Sequence, residues 1–172
     1  MDILKTATDW AKTEVYSTSF FVVVGVLFIF SGVAFWYLGK TDMAKAYVVP
    51  ASVAGTLLLV IGLGLSFTNK ARITKFENAY HNDAMAFVDS EIDRVEATLK
   101  EYQVVVFRAV PLIIAVCALL ITLIHSPLWR ASMITTIAML VVILLIDGTA
   151  HSRISAYHEQ LVAEKNAGID GS

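Results

Sequence analysis

Charge and cysteine are both scarce in this sequence. Only 16% of its 172 residues are Asp, Glu, Lys or Arg, whereas an average soluble domain carries roughly 25%. Cys117 is the single cysteine, which excludes a disulfide scaffold and paired-thiol chemistry. The net charge of -2 argues against a nucleic-acid binder. Apolar residues make up 57% of the chain instead, and this excess rules out a soluble globular domain and a large catalytic domain outside a membrane.

Long apolar stretches with few or no charged residues locate the membrane, and the first two contain none. A helix needs ~20 apolar residues to cross a bilayer, and four stretches are long enough. Their bounds are about 18–38, 46–68, 104–124 and 129–149. All four are expected to be helices, because an open sheet in hydrocarbon leaves its edge amides without hydrogen-bond partners.

Only short turns separate the first span from the second and the third from the fourth. The sequence therefore predicts an all-α membrane protein whose four transmembrane helices form two hairpins with cytoplasmic helical extensions. The predicted segments are an amphipathic interfacial helix over 1–16, a first hairpin over 17–68, a helix-turn-helix excursion over 69–104, a second hairpin over 105–150, a C-terminal cytoplasmic helix over 151–165 and a disordered tail or artificial extension over 166–172.

The excursion contains two apolar stripes with helical spacing. Ile73, Phe76 and Tyr80 belong to the first stripe. The second stripe is out of phase with the first across positions 81–83, which predicts a turn there. Asp89 and Ser90 are the candidate N-caps of the returning helix.

Lysine and arginine are distributed unevenly between the two sides of the spans. Because cytoplasmic segments carry an excess of these residues, both termini are predicted to be cytoplasmic, in a multi-pass protein of the bacterial inner (plasma) membrane. The short turns hold only Lys40, Lys45 and Arg130, whereas the other side holds Lys5, Lys12, Lys70, Arg72, Lys75, Arg94, Lys100, Arg153 and Lys165.

The segments that follow the two hairpins resemble each other. Residues 68–76 match residues 149–157 at a constant offset, and Arg72 corresponds to Arg153. A duplicated two-span unit explains the match, although it is short. Arg72, Arg153, Lys70 and Lys75 are candidate lipid-headgroup contacts; snorkelling at the interface is the alternative reading of the two arginines.

Two charged residues lie inside the predicted spans. Arg108 and Asp147 each sit about one helical turn from the cytoplasmic end, at similar depth on neighbouring helices. Because isolated charges are unfavourable in a bilayer, they are predicted to form an intramembrane ion pair. That pair either holds the second hairpin together or acts in gating.

Small residues mark one face of the second span, where another helix can approach closely. The predicted helix-packing face consists of Ala51, Gly55, Gly62 and Ser66. Packing inside one bundle and self-association between chains both remain open.

Motifs that carry chemistry are not found. The sequence contains no G-x-S-x-G, HExxH or phosphate-loop pattern. His125 and His151 lie at opposite ends of spans, so they do not share a haem or a metal. We therefore expect no enzymatic activity, no cofactor and no metal site.

The leading hypothesis is a non-catalytic membrane protein that acts through helix packing and a cytoplasmic helical platform. Its expected partners are the lipid bilayer and either further copies of itself or another membrane protein, with no nucleic acid. An oligomeric pore or channel is the first alternative. The second is a membrane immunity or exclusion protein, because the four-span layout with cytoplasmic termini resembles that of immunity proteins against pore-forming bacteriocins.

Overall fold

Helices account for nearly the whole of the computed structural model, which describes residues 3–170 and the side chains of residues 3–167. The helices are α1 (Ile3–Leu38), α2 (Asp42–Ala46), α3 (Val48–Asn82), α4 (Ala84–Glu101), a π-helical segment (Tyr102–Ala109), α5 (Val110–Leu123) and α6 (Pro127–Asp170). The tail predicted over 166–172 lies partly outside the described residues, and α6 continues through its first part.

Four helical units are long and apolar enough to cross a bilayer. They are Ile3–Leu38, Asp42–Asn82, Ala84–Leu123 and Pro127–Ala167. The predictions of an all-α chain and of four apolar spanning helices are thereby confirmed, and the chain is a multi-pass membrane protein. Each unit is longer than the apolar stretch within it, because polar helical turns continue beyond the stretch.

The helix ends are set by local capping groups. The Thr41 side chain accepts a hydrogen bond from the amide of Ala44 and caps α2. The Asp83 carboxylate accepts from the amides of Met85 and Ala86 at 3.0 Å and caps α4. Asp83 is therefore the N-cap of the returning helix. The expectation of Asp89 or Ser90 is corrected, since α4 begins several residues earlier than the second stripe suggested.

Close antiparallel packing joins α1 to α3. A Cβ at Gly25 would lie 2.9 Å from the carbonyl oxygen of Gly55, and a Cβ at Gly55 would lie 2.6 Å from that of Gly25. Nearer the other end of α3, the hydroxyls of Thr18 and Ser66 share a hydrogen bond of 2.7 Å. Glycine at both positions lets the two backbones touch, as small residues do in membrane helix pairs.

The second pair of long helices is arranged differently. α6 packs against α1, α3, α4 and α5. α5 contacts only α6 and the π-helical segment among the elements that the structure describes. α6 therefore links α5 to the α1–α3 pair.

The polar ends of the long helices form a second packed unit, which we call the basal bundle. It consists of residues 3–16, 69–101 and 150–167. Its buried apolar core comprises Ile3, Ala7, Trp10, Ala11, Phe76, Phe87, Val88, Ile92, Val95, Ile154, Tyr157 and Leu161. In this core the apolar stripes of α1, α3, α4 and α6 pack against one another.

Candidate functional site

A cavity of about 370 Å³ lies where the apolar spans meet the basal bundle. Helices α1, α3, α4 and α6 and the π-helical segment all contribute to its wall. Its polar lining includes Glu14, Asn69, Arg72, Arg94, Glu101, Tyr102 and Asp147, and its apolar lining includes Phe21, Leu65, Val105, Val106 and Ile146. A cavity of this kind can receive a ligand that has both a charged and an apolar part.

Exposed aromatic rings place the cavity relative to a bilayer. Tyr16 is 70% exposed and Trp36 is 71% exposed, and the two are about 30 Å apart along α1 at ~1.5 Å per residue. That separation matches the hydrocarbon thickness of a bilayer, at whose boundaries such rings concentrate. Glu14 lies half a turn beyond Tyr16, so the cavity lies beside the ring that marks the basal end of the apolar stretch of α1.

A buried ion pair joins α1 to α6 at one side of the cavity. Arg153 Nε donates to Glu14 Oε1 at 2.8 Å. Glu14 is only 8% exposed. Removing either partner leaves the other charge poorly solvated, so the pair is a structural requirement of this junction.

A second charged network lies in the basal bundle. Arg94 donates twice to the buried carboxylate of Glu91, at 2.8 and 2.6 Å, and the Tyr157 hydroxyl donates to the same carboxylate at 3.1 Å. The Trp10 ring stacks on Tyr157 at a centroid distance of 5.0 Å. Arg94 lies over the Trp10 ring at 4.9 Å. Burial, together with the charge of Glu91 and the hydrogen bond to it, raises the pKa of Tyr157, which stays a donor.

The positive charge of Arg72 is less completely paired than that of Arg94, the other arginine that lines the cavity. Its Nη1 donates to the Asn69 side chain at 2.7 Å. No carboxylate in the described part of the chain lies within 4 Å of it. Burial and the nearby positive charge of Arg94 lower the pKa of Arg72. A half-buried cation in this position favours an incoming anion.

Asp147 is the corresponding unmatched anion. It is half-buried and lines the same cavity, and among the side chains of residues 3–167 it has no ion-pair partner. Its nearest charged neighbours include Glu14, which is a like charge. Burial raises the pKa of Tyr102, and the negative charges of Asp147 and Glu14 act in the same direction. Tyr102 is therefore a neutral hydroxyl beside Asp147.

The predicted ion pair between Arg108 and Asp147 is not formed. Arg108 is exposed and takes part in none of the ion pairs in the described structure. The physical reason is the π-helical segment, in which the amide of Val110 bonds to the carbonyl of Val105. A π turn contains about one residue more than an α turn, so Arg108 does not point in the direction that a regular α-helix would give it. Pro111 follows directly, and its missing amide removes a donor that a regular helix would use.

The predicted packing face lies between α1 and α3. Ala51, Gly55 and Gly62 are buried and Ser66 bonds to Thr18. A Cβ at Gly62 would lie 2.8 Å from the Cβ of Phe21. In the structure this face is occupied by the chain's own first helix, and it is not free for a second chain.

The predicted headgroup contacts fall into two groups. Lys70 and Lys75 are exposed on α3. Arg153 is paired with Glu14, and Arg72 faces the cavity. The two arginines that match in the proposed repeat therefore have different roles, and only Arg72 remains available to a ligand.

Sequence reasoning missed Glu14, Glu91 and the stacked Trp10 as parts of the site. A signal was present for Glu14, because it follows Ala7 and Ala11 on the apolar face of the first amphipathic helix. Glu91 likewise adjoins the apolar stripe of α4. A carboxylate on an apolar face requires a partner, but the sequence does not indicate that the partner of Glu14 is Arg153.

Metal binding has little support in this arrangement. Among the described side chains of residues 3–167, no three His, Cys, Asp or Glu form a group suited to a metal ion. His151 packs edge-on against the rings of Tyr102 and Phe107. The site offers charged groups and hydrogen-bond donors, which are suited to binding.

No family model matches this chain, and no curated protein or solved structure matches it. Four apolar helices and a basal bundle that encloses part of a charged cavity define a multi-pass membrane protein with an internal polar site.

Proposed function

We propose that this chain is a non-catalytic integral membrane protein that binds the polar head of an amphiphile in the basal cavity. The observation that carries the proposal is the cavity itself, which joins unmatched charges to an apolar wall at headgroup level. Arg72 and Asp147 supply the charges, and Phe21 and Val106 belong to the apolar wall. Of the described residues that line the cavity, none is a histidine or lysine that would activate Ser17 as a general base.

In this proposal the two pairs of spans are hairpins, and the basal bundle is their cytoplasmic platform. All nine lysines and arginines counted on the cytoplasmic side in the sequence fall in the basal bundle, which supports this orientation by the positive-inside rule. The bacterial inner membrane is the proposed location. Fusion of a reporter that is active only in the cytoplasm tests the orientation, and an inactive reporter after residue 165 would contradict it.

Copurification tests amphiphile binding directly. The full chain is purified in mild detergent, and bound amphiphiles are extracted and quantified by mass spectrometry. Thr98 lines the cavity and is half-buried, so Thr98→Phe should fill the cavity and remove the bound molecule. Thr122→Phe, at an exposed position on α5, is the matched control. Equal retention by both variants, or no retained amphiphile in the wild type, would refute the proposal.

A second proposal concerns assembly. α5 contacts only α6 and the adjoining π-helical segment in the described structure, and Leu112, Val116 and Leu119 are exposed along it. We propose that the protein is a homo-oligomer or a complex subunit that uses this helix. Light scattering of the purified chain in detergent measures the mass, and a strict monomer that copurifies with no other protein would refute this proposal.

A further inference from the structure

We propose that the basal cavity recognises a zwitterionic phospholipid headgroup, a phosphate diester that carries a primary ammonium, with the phosphate at Arg72 and the ammonium at Asp147. This inference rests on the proposed function and names the class of amphiphile that the cavity selects.

The charged residues of the cavity wall favour a ligand that carries both a negative and a positive group. Glu14 is paired with Arg153, and Arg94 is paired with Glu91. Glu101 is exposed and remains solvated. Among the described residues of the wall, Arg72 and Asp147 are the half-buried charges without an ion-pair partner. A ligand with one negative and one positive group satisfies both, whereas a simple anion leaves Asp147 unmatched.

The hydrogen-bonding groups favour a phosphate on the Arg72 side. The guanidinium of Arg72 donates to phosphate oxygens with charge assistance. Trp10 Nε1 is a further donor of this wall. Trp10 is only 9% exposed, and within the described structure no protein atom accepts from its Nε1. Arg94 Nη1 is likewise a donor without an acceptor.

The groups around Asp147 favour a primary ammonium over a quaternary one. A primary ammonium has three N–H donors, and the Asp147 carboxylate and the neighbouring Tyr102 hydroxyl can accept hydrogen bonds from them. Quaternary ammonium groups bind instead to open aromatic faces. The Trp10 ring already contacts Tyr157 at 5.0 Å and Arg94 at 4.9 Å, so it is poorly placed for that role.

The apolar wall favours a lipid over a free phosphate ester. Leu65 and Val105 line the cavity and are also 40% and 55% exposed on the outer surface. They therefore connect the cavity to the outside of the spans. An acyl chain attached to a headgroup in the cavity would pack against these two side chains.

Native mass spectrometry of the full chain with lipids of matched acyl chains tests the inference. The probes are phosphatidylethanolamine, phosphatidylglycerol, phosphatidylcholine and diacylglycerol. Loss of one charge-assisted contact weakens binding by about tenfold, so we expect phosphatidylethanolamine to bind at least about tenfold more tightly than the others. Equal or tighter binding of phosphatidylglycerol would overturn the assignment of the ammonium and leave amphiphile binding intact. Failure of all four lipids to bind would overturn the proposed function itself.

Charge-removing variants assign the two ends of the headgroup. Arg72→Gln and Asp147→Asn are each expected to weaken phosphatidylethanolamine binding by about tenfold. Only Asp147→Asn should abolish the preference over phosphatidylglycerol. Lys100→Gln and Glu159→Gln change exposed residues on α4 and α6 and should leave binding unchanged. An Asp147→Asn chain that unfolds at the wild-type temperature and keeps the full preference would refute the inference.

Soluble O-phosphoethanolamine separates a lipid from a free phosphate ester. It carries the headgroup charges without an acyl chain. We expect it to displace phosphatidylethanolamine only at concentrations far above those of the lipid. Displacement at equal concentration would refute the lipid assignment.

Discussion

Gly25 and Gly55 face each other across α1 and α3 so closely that a side chain on either would meet the backbone carbonyl of the other. No rotamer change relieves such a contact, because the obstructing atom belongs to the main chain. The α1–α3 pair is therefore the most sharply defined packing in the apolar part of the molecule.

Substitution of Gly55 by alanine should separate these helices. We expect Gly55→Ala to lower the free energy of unfolding by about 1–3 kcal/mol, the usual range for overpacking. Thermal unfolding in detergent measures the change. Gly64→Ala is the matched control on the same helix, since a Cβ there meets nothing within 4 Å. Equal effects of the two substitutions would contradict the close contact.

Loss of the Glu14 carboxylate should destabilise the junction between α1 and α6. Removing one partner of a buried pair costs roughly 3–5 kcal/mol, and Glu14→Gln is expected near the lower limit because the Arg153 side chain keeps 28% exposure. Lys12→Gln is the comparison. It breaks an ion pair with Asp9 whose side chains are 63% and 59% exposed, and it should have little effect. A small effect of Glu14→Gln would show that the pair is not needed for the fold.

Alkaline pH should weaken the basal bundle through Tyr157. The pKa of Tyr157 is raised above its ordinary value of 10.0, so the unfolded chain loses this proton before the folded chain does. Stability contributed by the neutral hydroxyl is complete below pH 10 and falls as the pH rises above it. Tyr157→Phe should flatten the decline of the unfolding temperature between neutral and strongly alkaline pH. Tyr16→Phe, at a ring that is 70% exposed, should retain the wild-type slope.

Arg108 should contribute little to stability. It is exposed and has no ion-pair partner within the described structure, and one turn from the end of its span its long side chain can reach the headgroups, so Arg108→Gln is expected to change the free energy of unfolding by less than about 0.5 kcal/mol. Arg153→Gln removes the partner of buried Glu14 and provides the contrast. Comparable destabilisation by both variants would favour the intramembrane ion pair predicted from the sequence.

The sequence predicted the long apolar helices well, because a segment of ~20 residues that is surrounded by hydrocarbon must carry few charged residues. The helix break at Asp83 also coincides with the phase change between the stripes of α3 and α4. These features depend on neighbouring residues. They can therefore be predicted from the sequence.

The cavity was not predictable in the same way. Glu14 and Arg153 are 139 positions apart, and no local pattern links them. The π-helical segment consists of residues that suit an α-helix equally well, so its altered phase is not visible in the composition. Similar depth on neighbouring helices predicted an ion pair between Arg108 and Asp147, and the described structure does not contain it.

The bond between Glu14 and Arg153 also sets an order for biogenesis. A ribosome completes α1 long before it makes α6. Glu14 therefore has no bond to Arg153 until the last helix has been inserted. Chains that stop before Arg153 therefore lack the hydrogen-bonded counter-ion of a carboxylate that is buried in the mature fold.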